Sequence, residues 1–433
     1  MNAIVPAFGC TSGNLAFEDA LDRVLGLADG RLPVERVAVA DCIGRVLAEP
    51  VTARLDLPGF DQSAMDGYAV RSAALIPGAM VPMTGRTTAG EAPGHLLPGG
   101  THRILTGAPL PAGADAVIAQ EYVHRNGDLI HLTAVPPPGT NVRRRGEDIA
   151  VGAELIWAGT RLDWRHVTVL AGQGIATVAV RRRPRIALLS SGRELRSAGT
   201  RLATGQIHDS NLPMLTALLT AWGASVRPAP VVADDAASMQ ATLRAATADT
   251  DLVVTTAGIS VGDEDHVRAA LHALGGDLAV LKVAMKPGKP LAAGRLGGAV
   301  FIGLPGNPQA ALAGAFAFIR PLLARLGGSA VPVPLRGHAG FDLHRRPGRA
   351  EFIATRLTQR GACIWAERAG PDGSGRLAPL LVATGFAFLP ASTTDVRQGD
   401  LLPILPFMPN GMPGGIARGT PSGIMPETES CHA

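Results

Sequence analysis

The segment LGGAVFIGLPGNP, residues 296–308, decides the fold. Its first nine residues are an apolar run of the length of a buried strand, and Pro305-Gly306-Asn307-Pro308 then turns the chain into a helix with Pro308 in its first turn. The pattern occurs again upstream, where DLVVTTAG (251–258) leads into Ile259-Ser260-Val261-Gly262-Asp263-Glu264-Asp265. In such a unit the loop lies at the carboxyl end of the strand. The helix there presents free N–H groups and a partial positive charge, and ligands bind at that edge. Working outward, residues 184–326 alternate throughout. Strand RIALLSS is followed by a helix from about Asp209 to Trp222, strand 225–232, helix 235–248, strand 251–256, helix 264–274, two further strands and a long helix from Asn307. The alternation predicts a three-layer α/β domain with a mostly parallel sheet.

Between the two strand–loop–helix units lies KVAMKPGK (282–289), which holds all three lysines of the chain, Lys282, Lys286 and Lys289. The other 37 basic residues are arginine. A compact ammonium kept at three neighbouring places, where a planar guanidinium fork fits poorly, points to a tightly packed anion. One loop thus carries carboxylates, the next carries lysines, and the third opens a helix. That combination is what a metal-bridged phosphate ester requires. The loop after the first strand adds Ser190, Ser191, Gly192 and Glu194. Asp209-Ser210-Asn211 opens the next helix, with Asp209 either an N-cap or a ligand-binding residue.

Toward the N-terminus, Asn14 to Leu27 has helical spacing with Gly30 as a stop, and Ala40 to Leu47 reads as a second helix. From Pro58 to about Thr140, short apolar runs broken by Gly and Pro predict a separate β domain. Its segment PGFDQSAMDGYAVR sets Asp61, Ser63, Asp66 and Gly67 in a polar turn, which turn chemistry alone accounts for as well as function does. Thr106 and Gly107 follow a later strand. In NVRRRGEDI (141–149), three arginines precede Glu147 and Asp148; this is either a solvated charge run or an anion contact from Arg143 beside a cation or ribose site shaped by Asp148. The expected partition is a discontinuous helical support domain at 10–50 and 145–180, an inserted β domain at 51–144, the α/β domain at 181–328, a small C-terminal β-barrel at 329–407, and a disordered tail at 408–433.

Composition narrows the function classes. With 46% hydrophobic and 18% charged residues, the chain is globular and large enough for several cores. Net charge is only +4, and aromatics at 4% supply few base-stacking platforms, so the arginine runs do not indicate nucleic acid. Cys10, Cys42, Cys363 and Cys431 form no C-x-x-C pair, which argues against zinc ribbons, thioredoxin chemistry and a secreted disulfide framework and fits the cytoplasm. No secretory signal is evident. The most apolar helix, from Ala310, is expected to stop at Arg320, short of a bilayer span, so no membrane partner is expected.

Seven motifs in order, PGFDQSAMDGYAV, LTGAPLPAGADAV, NVRRRGEDI, IHDSN, SVGDEDHV, MKPGKP and GLPGNP, resemble those of the molybdopterin molybdenumtransferases, whose eukaryotic relative is the gephyrin E domain. The resemblance covers roughly residues 10–405. It implies an α/β multidomain enzyme of molybdenum cofactor synthesis that takes adenylylated molybdopterin and molybdate, inserts the metal at the dithiolene and releases AMP with Mg2+. It further implies an elongated homodimer, with a cleft between the α/β domain of one subunit and the β domain of the other, and an upstream molybdopterin adenylyltransferase as partner. By motif, the catalytic positions fall on Asp61, Thr106, Asp148, Glu194, Asp265, Lys282 and Lys286. Substrate binding falls on Arg143, Asp209, Asp234, Ser260, Gly262, Lys286, Lys289 and Pro305 to Pro308, and Mg2+ on Glu194 and Asp265.

The sequence departs from the family pattern in three places. Arg193 stands where an acidic residue is common, TTAGIS replaces a Thr-Ser-Gly-Gly-Val-Ser run, and 382–386 stands where a Gln-Gly-Ser-type motif is expected. A paralogue that prefers tungstate or another substrate, or a gephyrin-like binding scaffold, stays open as an alternative.

Overall fold

Leu252–Thr256 is buried at all five positions, and Ala299–Leu304 at all six. An apolar run without alternation has to be covered on both faces, and these two strands lie side by side at the centre of a six-stranded sheet. The computed structural model, which describes residues 14–229, 231, 232, 235–257 and 266–408, gives that sheet the order Ser225–Pro228, Arg185–Ser190, Leu252–Thr256, Ala299–Leu304, Ala292–Leu296, Asp277–Leu281. The first four strands are parallel, Ala292–Leu296 runs against them, and Asp277–Leu281 is antiparallel to Ala292–Leu296. Successive side chains point to opposite faces. Ile186, Leu188, Val254 and Ile302 therefore meet the helix Asn211–Ala221 and the long helix that begins at Pro308, while Ala187, Leu189, Val253 and Phe301 meet Ala236–Thr247 and His266–Ala273.

The helix at Pro308 does not stop at Arg320. It passes from Pro308–Gly314 through a π-helical turn, Ala315–Ile319, into Arg320–Gly327. Pro321 has no N–H for the carbonyl four residues back, which accounts for the widened turn just before it. Arg320 stays inside the fold by laying its guanidinium over the rings of Trp222 and Phe316. At 20 residues, Pro308–Gly327 is long and apolar enough to cross a membrane, but 89% of its most apolar 18-residue stretch is buried as the core helix of this unit.

The described residues divide into two compact units, those within 1–35, 44–46 and 180–433 and those within 36–43 and 47–179. The helix Phe17–Gly26, which the sequence grouped with 145–180, belongs to the larger unit. Phe17 packs against Phe318, Phe352 and Phe388 at centroid distances of 5.6, 5.6 and 5.4 Å. In the same unit, strands Leu335–Ala339, Ala350–Arg360, Cys363–Arg368, Gly385–Leu389 and Leu401–Pro406 form a closed barrel, because Ala350–Arg360 pairs with both Cys363–Arg368 and Gly385–Leu389. Thr384 is part of this frame, its Oγ1 accepting the Leu357 N–H at 2.8 Å.

In the smaller unit a six-stranded sheet runs Ala116–Ala119, Gly67–Val70, Thr101–Ile104, Met80–Thr87, Leu129–Leu132, Val123–Asn126. The helix Trp164–Gly172 is capped reciprocally by Asp163 and His166. The helix expected over 40–47 is absent. One 3-10 turn, Val39–Asp41, forms, and the chain then turns at Gly44 with φ +76°. The Leu47 N–H is taken by Thr160 O, so tertiary pairing overrides the local periodicity.

Candidate functional site

The carboxyl ends of the parallel strands open into a cleft of about 760 Å³ in the larger unit. Glu194 comes from the loop after Arg185–Ser190, Thr256 and Ala257 from the end of the central strand, and Pro305 to Pro308 from the loop after Ala299–Leu304. Asp209 and Asn211 form another part of its wall. Asp209 is an N-cap: its Oδ1 accepts the N–H groups of Asn211 and Leu212 at 2.9 and 3.1 Å. Its Oδ2 and the Oδ1 of Asn211 are buried without a hydrogen-bond partner among the described residues. Asn211 Nδ2 donates to Gly306 O at 2.7 Å and so pins the Gly-Asn-Pro loop to this wall. A Cβ at Gly306 would lie 3.3 Å from Cβ of Ala257, a contact that a small shift of the loop would have to relieve.

Glu194 is exposed and folds back over Gly192, whose φ of +151° suits glycine. A Cβ at Gly192 would fall 2.7 Å from Glu194 Oε2. Mg2+ keeps several waters and takes one or two carboxylates beside substrate phosphates. An exposed carboxylate lining a cleft that also holds Asp209 and Asn211 fits that donor set. Among the described residues, no three His, Cys, Asp or Glu side chains are grouped as a closed metal cage.

The structure separates the lysine run into different surroundings. Lys282 sits at φ +66°, with its backbone bonded to Leu291 and Leu15, and Lys289 is exposed. Met285–Lys286 is a strand that pairs with the barrel, Lys286 opposite Glu351. Lys286 lines a second, smaller cavity of about 170 Å³, together with Glu351, Asp372 and Ser374. It is not among the residues that line the larger cleft. Asp234, Ser260, Gly262 and Asp265 lie outside the described residues.

The smaller unit gathers Asp61, Thr106, Arg143 and Asp148 around three adjoining segments. Asp61 accepts Arg144 Nη1 at 2.6 Å and the Arg145 N–H at 2.9 Å. The backbone N–H of Arg145, followed by the Arg144 guanidinium, holds its carboxyl below the usual carboxylate range against a desolvation that opposes it. Thr106 donates its N–H and its hydroxyl to Asp66 Oδ1, each at 2.8 Å, and lowers the Asp66 pKa by the same two bonds. Arg143, on the strand Val142–Arg143, lies opposite Gln62. The Asp148 N–H bonds to Leu57 O, leaving its side chain exposed. Asp56 is a neighbour the motif reading did not select. It binds Arg145 Nε at 2.6 Å and the Val151 N–H at 2.8 Å, and that N–H is the main reason its pKa is lowered.

Three family descriptions match in the order of the chain. A MoeA N-terminal region (domain I and II) covers residues 15–174, a probable molybdopterin binding domain 194–325, and a MoeA C-terminal region (domain IV) 336–407. A molybdopterin molybdenumtransferase from Nostoc sp. is 34% identical over 86% of this chain and 88% of its own length. One from Haemophilus influenzae is 33% identical over 91% and 98%. Molybdopterin molybdenumtransferase 2 of Mycobacterium tuberculosis is 36% identical over 85% and 94%. Among solved structures, the molybdopterin biosynthesis MoeA protein of Pyrococcus horikoshii superposes with a TM-score of 0.79 at 29% identity, over 92% of this chain and all of that one. The chain is thus a multidomain α/β protein of the MoeA type. It belongs to the molybdopterin molybdenumtransferase family.

Proposed function

We propose that the chain inserts molybdenum into molybdopterin in molybdenum cofactor biosynthesis. The observation that carries this reading is that the interval matched to a probable molybdopterin binding domain begins at Glu194 and contains the residues converging on the cleft, Asp209, Asn211 and Pro305 to Pro308. The relatives are named for this transfer, and neither a tungstate-specific paralogue nor a gephyrin-like scaffold is favoured by them.

The finer reading is that the substrate is adenylylated molybdopterin, handed over by an upstream adenylyltransferase, and that AMP leaves as molybdate enters. Bound Mg2+ would offset charge on the phosphates, and Glu194 would hold it. Asn211 keeps the Gly-Asn-Pro loop in place against the substrate, and Lys286 supplies a cation for an oxyanion. We further propose a cytoplasmic homodimer, and within the two units a separate β domain at 51–144 and a barrel domain at 329–407.

The test mixes purified protein with adenylylated molybdopterin, Mg2+ and molybdate or tungstate, and follows AMP release together with metal retained on the pterin. Turnover with molybdate that falls in Lys286→Ala and Asp265→Ala is the expected result. Wild-type rates in both variants would remove the site assignment.

A further inference from the structure

Residues 370–377, a strap from the barrel, border both cavities. Asp372, Gly373 and Ser374 line the cavity of Lys286, and Gly375 and Leu377 line the larger cleft. Two anchors of different kinds hold the strap. The first is Gln309, whose N–H donates to Ser374 O at 3.0 Å and whose Nε2 donates to Gly373 O at 3.1 Å and Arg376 O at 2.8 Å. Asn307 Nδ2 adds a bond to Ser374 Oγ at 3.0 Å. The second anchor is electrostatic. Asp372 places one carboxylate oxygen 3.8 Å from Lys286 Nζ and the other on Arg368.

The two carboxylates around Lys286 are not equivalent. Glu351 is buried and shared with Arg345, so leaving its site would strip two cations of their partner. Asp372 is mostly exposed, at 61% side-chain accessibility, and its ion pairs are correspondingly weak and exchangeable. It is also the only one of the two carried on the strap.

We propose that the strap is a gate and that Asp372 is its internal anion, which competes for Lys286 and Arg368 with a tetrahedral dianion. A dianion that reaches Lys286 displaces Asp372, the electrostatic anchor is lost, and the strap is left on its Gln309 bonds, loosened between the two cavities. The proposal rests on the reading that Lys286 receives an anionic substrate.

Molybdate itself is the probe, applied to the full chain at low ionic strength. Equilibrium dialysis compares wild type, Asp372→Asn and Lys286→Ala, and hydrogen exchange follows the residue 309 amide, which bonds Ser374 O, and the Arg376 amide, which bonds Gly373 O. Removing one like charge from a partly exposed site is expected to tighten molybdate binding by roughly three- to tenfold in Asp372→Asn. It is also expected to lower KM for molybdate without lowering kcat. In wild type, saturating molybdate speeds exchange in the strap, and Gln309→Ala shows fast exchange even without it. Unchanged or weaker binding by Asp372→Asn, or slower strap exchange with molybdate, overturns the gate. If Lys286→Ala loses molybdate while Asp372→Asn binds as wild type does, the gate alone falls. If Lys286→Ala binds normally, the anion role of Lys286 falls and takes the gate with it.

Discussion

The Nζ of Lys286 stands 2.7 Å from Oε1 of Glu351, and the two residues are partners in register across parallel strands. The lysine run of the α/β fold is therefore stitched into the barrel at the residue that the family motif selects. Glu351 also faces Arg345, whose Nε is 3.5 Å from its other oxygen. Glu351→Ala would leave a buried arginine and a half-exposed lysine without their shared carboxylate. The expected loss is about 2–3 kcal/mol, below the range for a fully buried pair because Lys286 reaches water. Urea denaturation measures it. Asp395→Ala, which removes the exposed His344–Asp395 pair, should leave the midpoint unmoved.

Gln173 is 1% exposed and satisfies three backbone groups. Its Oε1 accepts the N–H of Arg54 at 2.8 Å and of Leu55 at 2.9 Å, and its Nε2 donates to Leu55 O at 3.1 Å. Those bonds hold the two residues just before Asp56. Gln173→Ala orphans all three groups, and we expect about 2–4 kcal/mol of destabilisation. An unchanged thermal midpoint would show that water replaces the side chain at no cost.

At Gly192, alanine would add a Cβ in a backbone region that side chains rarely adopt and push it against the Glu194 carboxylate. Because Glu194 is a flexible, exposed side chain, the fold should survive while the carboxylate moves. Gly192→Ala is expected to raise the Mg2+ concentration giving half-maximal AMP release by roughly tenfold, as for loss of a supporting group at a metal site. A Mg2+ titration superimposable on wild type would separate Glu194 from the metal.

Asp56, Asp61 and Asp66 all have lowered pKa values from donated N–H groups and neighbouring cations. As pH falls, the unfolded chain takes up protons at these positions before the folded one does. Their stabilisation is complete above the ordinary carboxylate value of about 4 and is lost as pH falls through the depressed values. The thermal midpoint of wild type should therefore drop below about pH 4, and the Asp61→Asn, Asp66→Asn double variant should show a flatter acid limb. Parallel acid limbs would mean that other carboxylates govern the transition.

Much of the α/β layer was legible because its central strands are uninterrupted apolar runs with Gly-bearing loops at one end, a pattern that needs no distant partner. The same logic brought Glu194, Asp209 and Pro305 to Pro308 to one cleft. Two local rules failed where tertiary contacts outweighed them. Arg320 found aromatic faces within the core instead of ending its helix, and Gly44 broke the periodicity of 40–47. The separation of Lys286 from the cleft was not legible, since it depends on pairing with a strand far along the chain. The strap was not legible because Gly373-Ser374-Gly375 reads as an ordinary turn. Its signal was a polar Asp-Gly-Ser-Gly run shortly after the strand Cys363–Arg368, and its partners Gln309 and Lys286 lie far away in the chain.

Pairing of Met285–Lys286 with Ala350–Glu351 also bears on how this polypeptide can be dissected. A fragment cut after residue 328 would keep every strand of the central sheet. It would lose the neighbour that lends Lys286 its orientation and the ring partners, Phe352 and Phe388, on which Phe17 rests. The barrel thus helps shape the half that carries Lys286, and recombining it between relatives would have to preserve that seam residue for residue.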